Sequence, residues 1–239
     1  SHSSIPVLRK LKVAIISTGD ELKQPGTELN RGEIYESNSF GLSGLVKWLG
    51  HEPVRLHCVG DTIDDLRNVL NEASSKYDLI LTSGGVSMGD WDLVRKIMEE
   101  EGDLHFWRVK LRPGSPPLFG LWNNTPIFGL PGNPVSSHVV FRMLVAPWIR
   151  HNTQANGPIE ARAYATLATK VKSTGDCLTL RRVNIVNEKG KLSAHQNIHQ
   201  GSGNLASMAM SEGMVVLQPG QDYSICLLYT SPSPRDIGE

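Results

Sequence analysis

Strand-like and helix-like segments alternate through the first 150 residues, and this alternation restricts the possible folds most strongly. Short β-rich apolar segments are followed by segments with helical spacing at Lys12–Ser17, Ser37–Leu49, Pro53–Val59, Ile63–Ser74, Tyr77–Leu81 and Leu93–Glu101. This order is typical of βαβ units, which build a parallel sheet. Apolar stripes on the helical segments can pack on that sheet. We therefore predict a three-layer α/β domain with a mostly parallel sheet.

The end of this α/β domain is predicted from four further segments. Strand patterns cover His105–Leu111, Leu118–Trp122 and Thr125–Phe128, and a helical pattern covers Val135–Arg150. The last two strands are separated by two asparagines, which tolerate positive φ and suit a hairpin. We place the α/β domain at residues 1–151.

The sequence changes character after this helix. A polar segment at residues 152–158 ends in Gly-Pro, which is typical of a linker. Residues 159–228 show short strand patterns without long helices, so we predict a small β-barrel domain there. Residues 229–239 are polar and contain prolines, and we expect a non-native or disordered tail.

Composition excludes several classes of partner. The 24 basic and 24 acidic side chains cancel, so no overall field attracts nucleic acid or a membrane surface. No apolar stretch approaches the roughly 20 residues that a membrane span requires. The three cysteines are widely spaced and odd in number, which favours a reducing compartment and a cytoplasmic location.

Residues 129–136, Gly-Leu-Pro-Gly-Asn-Pro-Val-Ser, join a strand to a helix, and we call them the proline loop. Pro131 and Gly132 end the strand, the Asn133 side chain is suited to N-capping, and Pro134 fits the first helical position. Free amides and the helix dipole then favour a phosphate or a carboxylate. The alternative is a well-capped core helix without a ligand.

Residues 82–92 form a second strand-to-helix junction, which we call the glycine loop. Its glycines let the backbone approach a ligand closely, and Ser83 and Ser87 add hydroxyl groups. Paired glycines also occur in ordinary turns, and no P-loop pattern is present. Ligands of open α/β sheets bind beyond the carboxyl ends of the strands. We therefore expect the two loops to lie side by side at that edge, near acidic and basic side chains.

Four motifs together carry a resemblance to a known family. They are Ser17-Thr18-Gly19-Asp20-Glu21-Leu22, Gly32-Glu33-Ile34-Tyr35-Glu36-Ser37-Asn38, Ser83-Gly84-Gly85-Val86-Ser87-Met88-Gly89-Asp90 and the whole proline loop. From about Val13 to Leu228, the sequence resembles the molybdopterin molybdenumtransferases, the family of MoeA and the gephyrin E domain. The resemblance is to the two C-terminal domains of the family. The family's full chain also has further N-terminal domains.

The resemblance implies a function. Members of this family insert molybdate into adenylylated molybdopterin and release AMP, with help from a divalent cation such as Mg²⁺. The resemblance also implies a homodimer whose site is completed by one of the N-terminal domains. A two-domain fragment is therefore expected to bind its ligand without full turnover.

The resemblance also assigns site residues. It implies catalytic roles for Glu21, Asp61, Asp92, Arg108 and Arg112, with Asp61 and Asp92 at the metal. It implies cofactor binding by Thr18, Gly19, Ser83, Gly84, Gly85, Val86, Ser87, Pro113, Gly114, Pro131, Gly132, Asn133, Pro134 and Ser136. The carboxylates could instead be strand-end caps or solvated turns.

One position departs from the family pattern. Ser115 stands where the family usually carries a second lysine, which removes one cation. Strand alternation would put Lys110 on the same face as Arg108 and Arg112, where it could compensate. Two other functions remain open: a molybdopterin adenylyltransferase, which shares the α/β domain, and a non-catalytic scaffold that retains the fold.

Overall fold

The structure, a computed structural model, describes residues 3–5, 7–56, 62–86, 92–155, 161–220 and 222–230. The chain divides into two compact units. The first unit comprises Ser1–Arg108, Pro116–Asn133 and Ser137–Ala155. The second unit comprises Val109–Ser115, Pro134–Ser136 and Asn156–Glu239.

The elements follow one another along the chain in mixed α/β order. They are β1 (Lys12–Ser17), β2 (Leu22–Lys23), β3 (Ile34–Tyr35), α1 (Asn38–Trp48), β4 (Glu52–Arg55), α2 (Ile63–Lys76), β5 (Leu79–Ser83), α3 (Leu93–Glu100), β6 (Asp103–Trp107), β7 (Leu111–Arg112), β8 (Leu118–Trp122), β9 (Thr125–Leu130), α4 (Pro134–Val140), a π-helical turn (Phe141–Val145), α5 (Ala146–Asn152), β10 (Ala161–Lys172), β11 (Leu178–Glu188), β12 (Lys191–His195), α6 (Ala206–Ala209), β13 (Gly213–Leu217) and β14 (Asp222–Thr230).

The first unit contains a six-stranded sheet in the order β4-β1-β5-β9-β8-β6. Strands β4, β1, β5 and β9 are parallel, whereas β8 pairs antiparallel with both β9 and β6. The hairpin between β8 and β9 turns at Asn123 and Asn124, whose φ angles are 47° and 64°. The predictions of a mostly parallel α/β sheet and of this hairpin are confirmed.

Helices cover both faces of this sheet. On one face, Ile16 and Ile80 pack in a buried cluster with Leu70 of α2 and Ile97 of α3. Residue Phe128 alternates to the other face, where its ring centroid lies 5.9 Å from that of Trp148 in α5. Because side chains alternate along a strand, each buried strand supplies apolar groups to both helical layers.

One predicted strand ends earlier than the sequence pattern suggests. The segment predicted as a strand at His105–Leu111 forms β6 only as far as Trp107. Arg108 has a left-handed φ of 71°, and its N–H donates to the Pro117 carbonyl at 2.9 Å. The chain then contributes β7, which pairs with β11 in the other sheet. The prediction that strand alternation places Arg108, Lys110 and Arg112 on one face is therefore wrong.

The second unit contains a six-stranded sheet in the order β12-β10-β14-β13-β11-β7. Strand β12 pairs with both β10 and β11, so the pairing of five strands returns to its starting point. Its buried core includes Val183, Val215 and Leu217. The Arg182 side chain is also buried, and its Nη2 donates to the carbonyls of His199 and Gly201. Within the described residues, no helix has the length and apolar character needed to span a membrane.

An ion pair anchors the start of the first sheet and predicts a pH effect. Asp78 accepts hydrogen bonds from the Arg9 guanidinium and, at 2.8 Å, from the Lys12 backbone N–H. The Arg9 hydrogen bond is the main reason that the pKa of Asp78 lies below its usual value. A carboxyl whose pKa is lower in the folded than in the unfolded state stabilises the fold above its unfolded pKa of about 3.9. That stabilisation is lost as the pH falls through the folded pKa.

We expect Asp78→Asn to lower the free energy of unfolding by about 1 kcal/mol at pH 7. The difference from the unmodified chain should shrink below about pH 4, where the native carboxyl also becomes protonated. Urea denaturation from pH 7 to pH 3 measures this. A difference that stayed constant across the range would contradict the assigned ion pair.

Candidate functional site

The carboxyl ends of three parallel strands meet at one edge of the first sheet. Ser17 pairs with Ser83 in register, and Ser83 pairs with Leu130. The chain passes from β4 on one side of β1 to β5 on the other side. Such a reversal of strand order opens a crevice at the strand ends, where α/β proteins bind ligands.

The glycine loop and the proline loop lie side by side at this edge. A Cβ atom placed on Gly132 would lie 3.7 Å from the Gly84 Cα. The Gly84 N–H donates to the Leu130 carbonyl at 3.0 Å, and the Thr18 N–H donates to the Ser83 carbonyl at 3.1 Å. The predicted juxtaposition of the two loops is therefore confirmed, with backbone facing backbone between Gly84 and Gly132.

The glycine loop has little space for side chains at its two described glycines. Gly84 has a φ of 99°, and a Cβ there would lie 2.8 Å from the Thr18 carbonyl oxygen. Gly85 has a φ of 66°, and its Cβ would lie 3.0 Å from Val94 Cγ2. Glycine is required here by both the left-handed backbone and the close approach of the β1 end. Ser87 lies outside the described residues.

Asn38 connects the two loops through its side chain, which sequence reasoning did not identify. Its Nδ2 donates to Ser83 Oγ at 2.6 Å and to the Gly132 carbonyl at 2.7 Å. The only signal was its place at the end of the Gly32–Asn38 motif, which contributes to the family resemblance. The motif did not indicate the hydrogen-bond partners of Asn38, because these contacts join segments that are distant in the chain.

Glu36 anchors the start of α1, from which Asn38 projects. Glu36 is 3% exposed, and its carboxylate accepts hydrogen bonds from the Ser17 hydroxyl at 3.0 Å and from the Ser39 backbone N–H at 2.7 Å. The Ser39 hydroxyl donates to its other oxygen. A buried carboxylate therefore joins the end of β1 to the first turn of α1.

The proline loop differs from its predicted capping arrangement in one respect. Asn133 occupies the N-cap position and Pro134 the first helical position, but the Asn133 side chain makes no capping hydrogen bond to a described residue. The Asn133 carbonyl instead accepts from the Ser137 N–H at 3.0 Å, and the Ser137 hydroxyl donates to the Pro131 carbonyl. The Val135 N–H donates to the Ser202 carbonyl. The backbone N–H groups of Ser137 and Val135 are therefore not available to a bound anion.

The predicted carboxylates occupy turns in the first unit. Glu21 is exposed, and its carboxylate folds over Gly19, since a Cβ on that glycine would lie 2.5 Å from Glu21 Oε2. Asp92 is half-buried at the N-cap position of α3. Asp61, the other predicted metal ligand, lies outside the described residues, as does Asp90.

Two guanidinium groups lie over one tryptophan beside the glycine loop. Arg108 stands 4.8 Å and Arg95 stands 4.0 Å from the ring centroid of Trp107. The Trp107 Nε1–H donates to the Val86 carbonyl at 3.0 Å, and the Arg95 backbone N–H donates to the Gly85 carbonyl. The sequence singled out Arg108 but not Arg95, which lies in the first turn of α3.

The remaining predicted residues belong to the second unit. Arg112 is exposed at the end of β7, and Pro113 and Gly114 follow it. Lys110 forms an ion pair with Asp176 at 2.6 Å, and its hydrogen bond to that carboxylate raises the pKa of the lysine. In the second unit, Pro134 begins α4 and Ser136 is buried.

Comparison with protein families identifies the domain that contains the two loops. A family model described as "Probable molybdopterin binding domain" matches residues 14–151. The chain belongs to this family. A second model, the MoeA C-terminal region (domain IV), matches residues 164–224. The glycine loop and the proline loop both lie within the molybdopterin-binding domain.

Individual relatives agree with the two family models. The molybdopterin molybdenumtransferase of Haemophilus influenzae is 35% identical over 219 residues, which are 90% of this chain and 54% of that protein. The molybdenum cofactor synthesis protein cinnamon of Drosophila melanogaster is 34% identical over 217 residues, 88% of this chain and 35% of that protein. The crystal structure of the MoeA protein from Pyrococcus horikosii matches with a TM-score of 0.78 and 28% identity, covering 94% of this chain and 55% of its own. The chain spans about half the length of the Haemophilus and Pyrococcus proteins and about a third of the Drosophila protein.

The predicted divalent cation can be compared with the metal-binding side chains of this molybdopterin-binding domain. Among the described residues, no group of three or more His, Cys, Asp and Glu side chains could hold a metal ion. Mg²⁺ usually takes only one or two carboxylates together with water and substrate phosphates. The Asp92 carboxylate, at the last residue of the glycine loop, has the donor chemistry that such a shared site uses.

Proposed function

We propose that the chain acts in molybdenum cofactor synthesis, where it inserts molybdate into adenylylated molybdopterin with release of AMP. The observation that carries the proposal is the contact between Gly84 and Gly132 at the carboxyl ends of the strands. That contact lies within a molybdopterin-binding domain, and relatives named molybdopterin molybdenumtransferase share 32–35% identity with the chain.

In this proposal, the two loops and the end of β1 hold the phosphate-bearing part of the ligand. The left-handed glycines bring backbone close to the ligand, and backbone and hydroxyl groups donate to its oxygens. The residues proposed for binding are Thr18, Gly19, Ser83, Gly84, Gly85, Val86, Ser87, Pro113, Gly114, Pro131, Gly132, Asn133, Pro134 and Ser136.

The proposed charged residues divide into two groups. Arg108 and Arg112 attract molybdate or phosphate, because a guanidinium offers a planar fork of donors to oxyanions. Glu21, Asp61 and Asp92 orient the substrate, and Asp61 and Asp92 would hold Mg²⁺. When bound, that cation would neutralise charge on the phosphoanhydride as AMP leaves. Ser115 in place of a lysine lowers the positive charge near Arg112.

The proposal also covers the organisation of the protein. We propose domain limits of 1–151 and 159–228 with a linker at 152–158, and a small barrel in the second domain, supported by the closed circuit of strand pairing there. We further propose a homodimer in the full-length protein. A cytoplasmic location is supported by the three widely spaced cysteines.

The test measures AMP release from adenylylated molybdopterin, with molybdate and Mg²⁺, by the full-length protein that contains this chain. Asp92→Asn and Asp61→Asn should each lower the rate by about 100-fold, because charge stabilisation at the departing phosphate is lost. Asp103→Asn is the matched control, since Asp103 is an exposed aspartate of β6, and its rate should stay within about twofold.

Two other results would redirect the proposal. If the protein instead consumed ATP and molybdopterin, it would be an adenylyltransferase. If it failed to bind adenylylated molybdopterin in calorimetry, a non-catalytic scaffold that retains the fold would replace the enzyme. Unchanged AMP release in both carboxylate variants would remove their assigned roles.

A further inference from the structure

The side-chain amide of Asn38 joins the two loops of the proposed site. Asn38 is the first residue of α1 and is 9% exposed. A single NH₂ group donates one hydrogen to Ser83 Oγ at 2.6 Å and the other to the Gly132 carbonyl at 2.7 Å. The glycine loop and the proline loop therefore share one donor.

The orientation of this amide is fixed by its surroundings. The Gly132 carbonyl can only accept, so the atom that faces it must be Nδ2 and not Oδ1. Ser83 Oγ accepts the second hydrogen, so the hydroxyl proton of Ser83 points to another partner. Asn38 thus fixes both the spacing of the loops and the direction in which Ser83 can donate.

The oxygen of the Asn38 side-chain amide indicates that stability alone does not explain why an asparagine stands at this position. Asn38 Oδ1 is buried and has no hydrogen-bond partner among the described residues. A buried acceptor without a partner opposes folding, and such groups in folded proteins call for an explanation. A functional constraint on Nδ2 supplies one.

We propose that Asn38 is a positioning residue, which holds the glycine loop and the proline loop at the separation that the ligand requires and orients the Ser83 hydroxyl for donation to it. Asn38 acts through Ser83 and Gly132 and does not touch the ligand. The identity of that ligand rests on the proposed function, whereas the connection between the loops does not.

Asn38→Asp tests the connection with an isosteric change. A carboxylate oxygen would replace Nδ2 and face the Gly132 carbonyl, so an acceptor would oppose an acceptor. Asn71→Asp is the matched control on α2. Its Oδ1 accepts from Trp122 Nε1 at 2.9 Å and from Asn123 Nδ2 at 3.0 Å, which a carboxylate can also do. Asn38→Ala removes the donor without adding charge.

The first readout needs no ligand. Amide hydrogen exchange is measured at Gly84 and Thr18, whose N–H groups bond across the strand ends, and at Ile15 inside β1. In both Asn38 variants we expect exchange at Gly84 and Thr18 to rise by about tenfold or more beyond any change at Ile15. Asn71→Asp should change none of them. Equal factors at all three amides, or no change, would overturn the proposal.

The second readout is calorimetric affinity for adenylylated molybdopterin. Asn38→Ala should weaken binding by about 30-fold or more, since small displacements of positioning groups have effects of this size. The same change in a Ser83→Ala background should have a clearly smaller effect, because the two residues act together. Fully additive effects would contradict action through Ser83. If the unmodified chain bound no ligand, the proposed function would fail, while hydrogen exchange would still decide the role of Asn38.

Discussion

Replacing Gly84 by alanine is expected to lower the free energy of unfolding by about 2–4 kcal/mol, since a left-handed backbone and a steric clash combine at this residue. The φ of Gly84 is 99°, and the new Cβ would lie 2.8 Å from the Thr18 carbonyl oxygen. That oxygen belongs to backbone at the end of β1 and cannot rotate away. Urea denaturation of the chain measures the change.

The same substitution should also lower affinity for adenylylated molybdopterin by about 100-fold, because a displacement near 1 Å in a positioning loop has effects of this order. Gly132→Ala is the matched control in the facing loop. Among the described residues, its Cβ would meet only the Gly84 Cα, at an ordinary contact distance of 3.7 Å. We expect a stability change within about 0.5 kcal/mol for this control. Equal losses of stability in Gly84→Ala and Gly132→Ala would contradict the described loop geometry.

Glu36→Ala is expected to lower the free energy of unfolding by about 2–4 kcal/mol, because a buried carboxylate that accepts three hydrogen bonds is lost. The substitution leaves the Ser39 backbone N–H and the Ser17 hydroxyl without their acceptor. It also frees the start of α1, and so the position of Asn38. Urea denaturation at pH 7 measures the stability.

Glu72→Ala provides the comparison for Glu36. Glu72 is exposed on α2 and forms an ion pair with Lys76 four residues later. Exposed pairs of this kind contribute little to stability, because solvent screens them. If Glu36→Ala destabilised the chain no more than Glu72→Ala, the carboxylate would not anchor α1 as the hydrogen bonds indicate.

The fold could be predicted where local patterns carry the information. Alternating strand and helix patterns predicted a mostly parallel sheet, and the Asn123-Asn124 pair predicted the hairpin that the positive φ angles confirm. The two loops could be placed together because the carboxyl ends of parallel strands share one edge of a sheet. Each of these predictions depends on residues that are close in sequence or on a general rule of sheet topology.

The errors arose where distant parts of the chain decide the structure. The apolar pattern continues beyond Trp107, but Arg108 turns into a left-handed conformation and bonds to Pro117, which no local pattern revealed. Asparagine is a common capping residue, but at Asn133 the backbone carbonyl and not the side chain accepts the hydrogen bond from the Ser137 N–H. The nearby Val135 amide finds its acceptor at Ser202, far along the chain.

The contacts of Asn38 could not have been predicted for a related reason. An asparagine after a serine at a helix start normally indicates local capping. The partners of Asn38 are instead Ser83 and Gly132, which follow two different strands. Only the assembled sheet brings these three residues together, so the sequence motif could identify the segment but not its contacts.

A crystal structure of the chain with adenylylated molybdopterin tests most directly whether the paired loops form the ligand site. We predict that phosphate oxygens of the ligand lie within hydrogen-bond distance of the glycine loop or the proline loop, with Gly84 and Gly132 still in contact. A ligand bound away from both loops, or loops separated by packed side chains, would contradict this assignment.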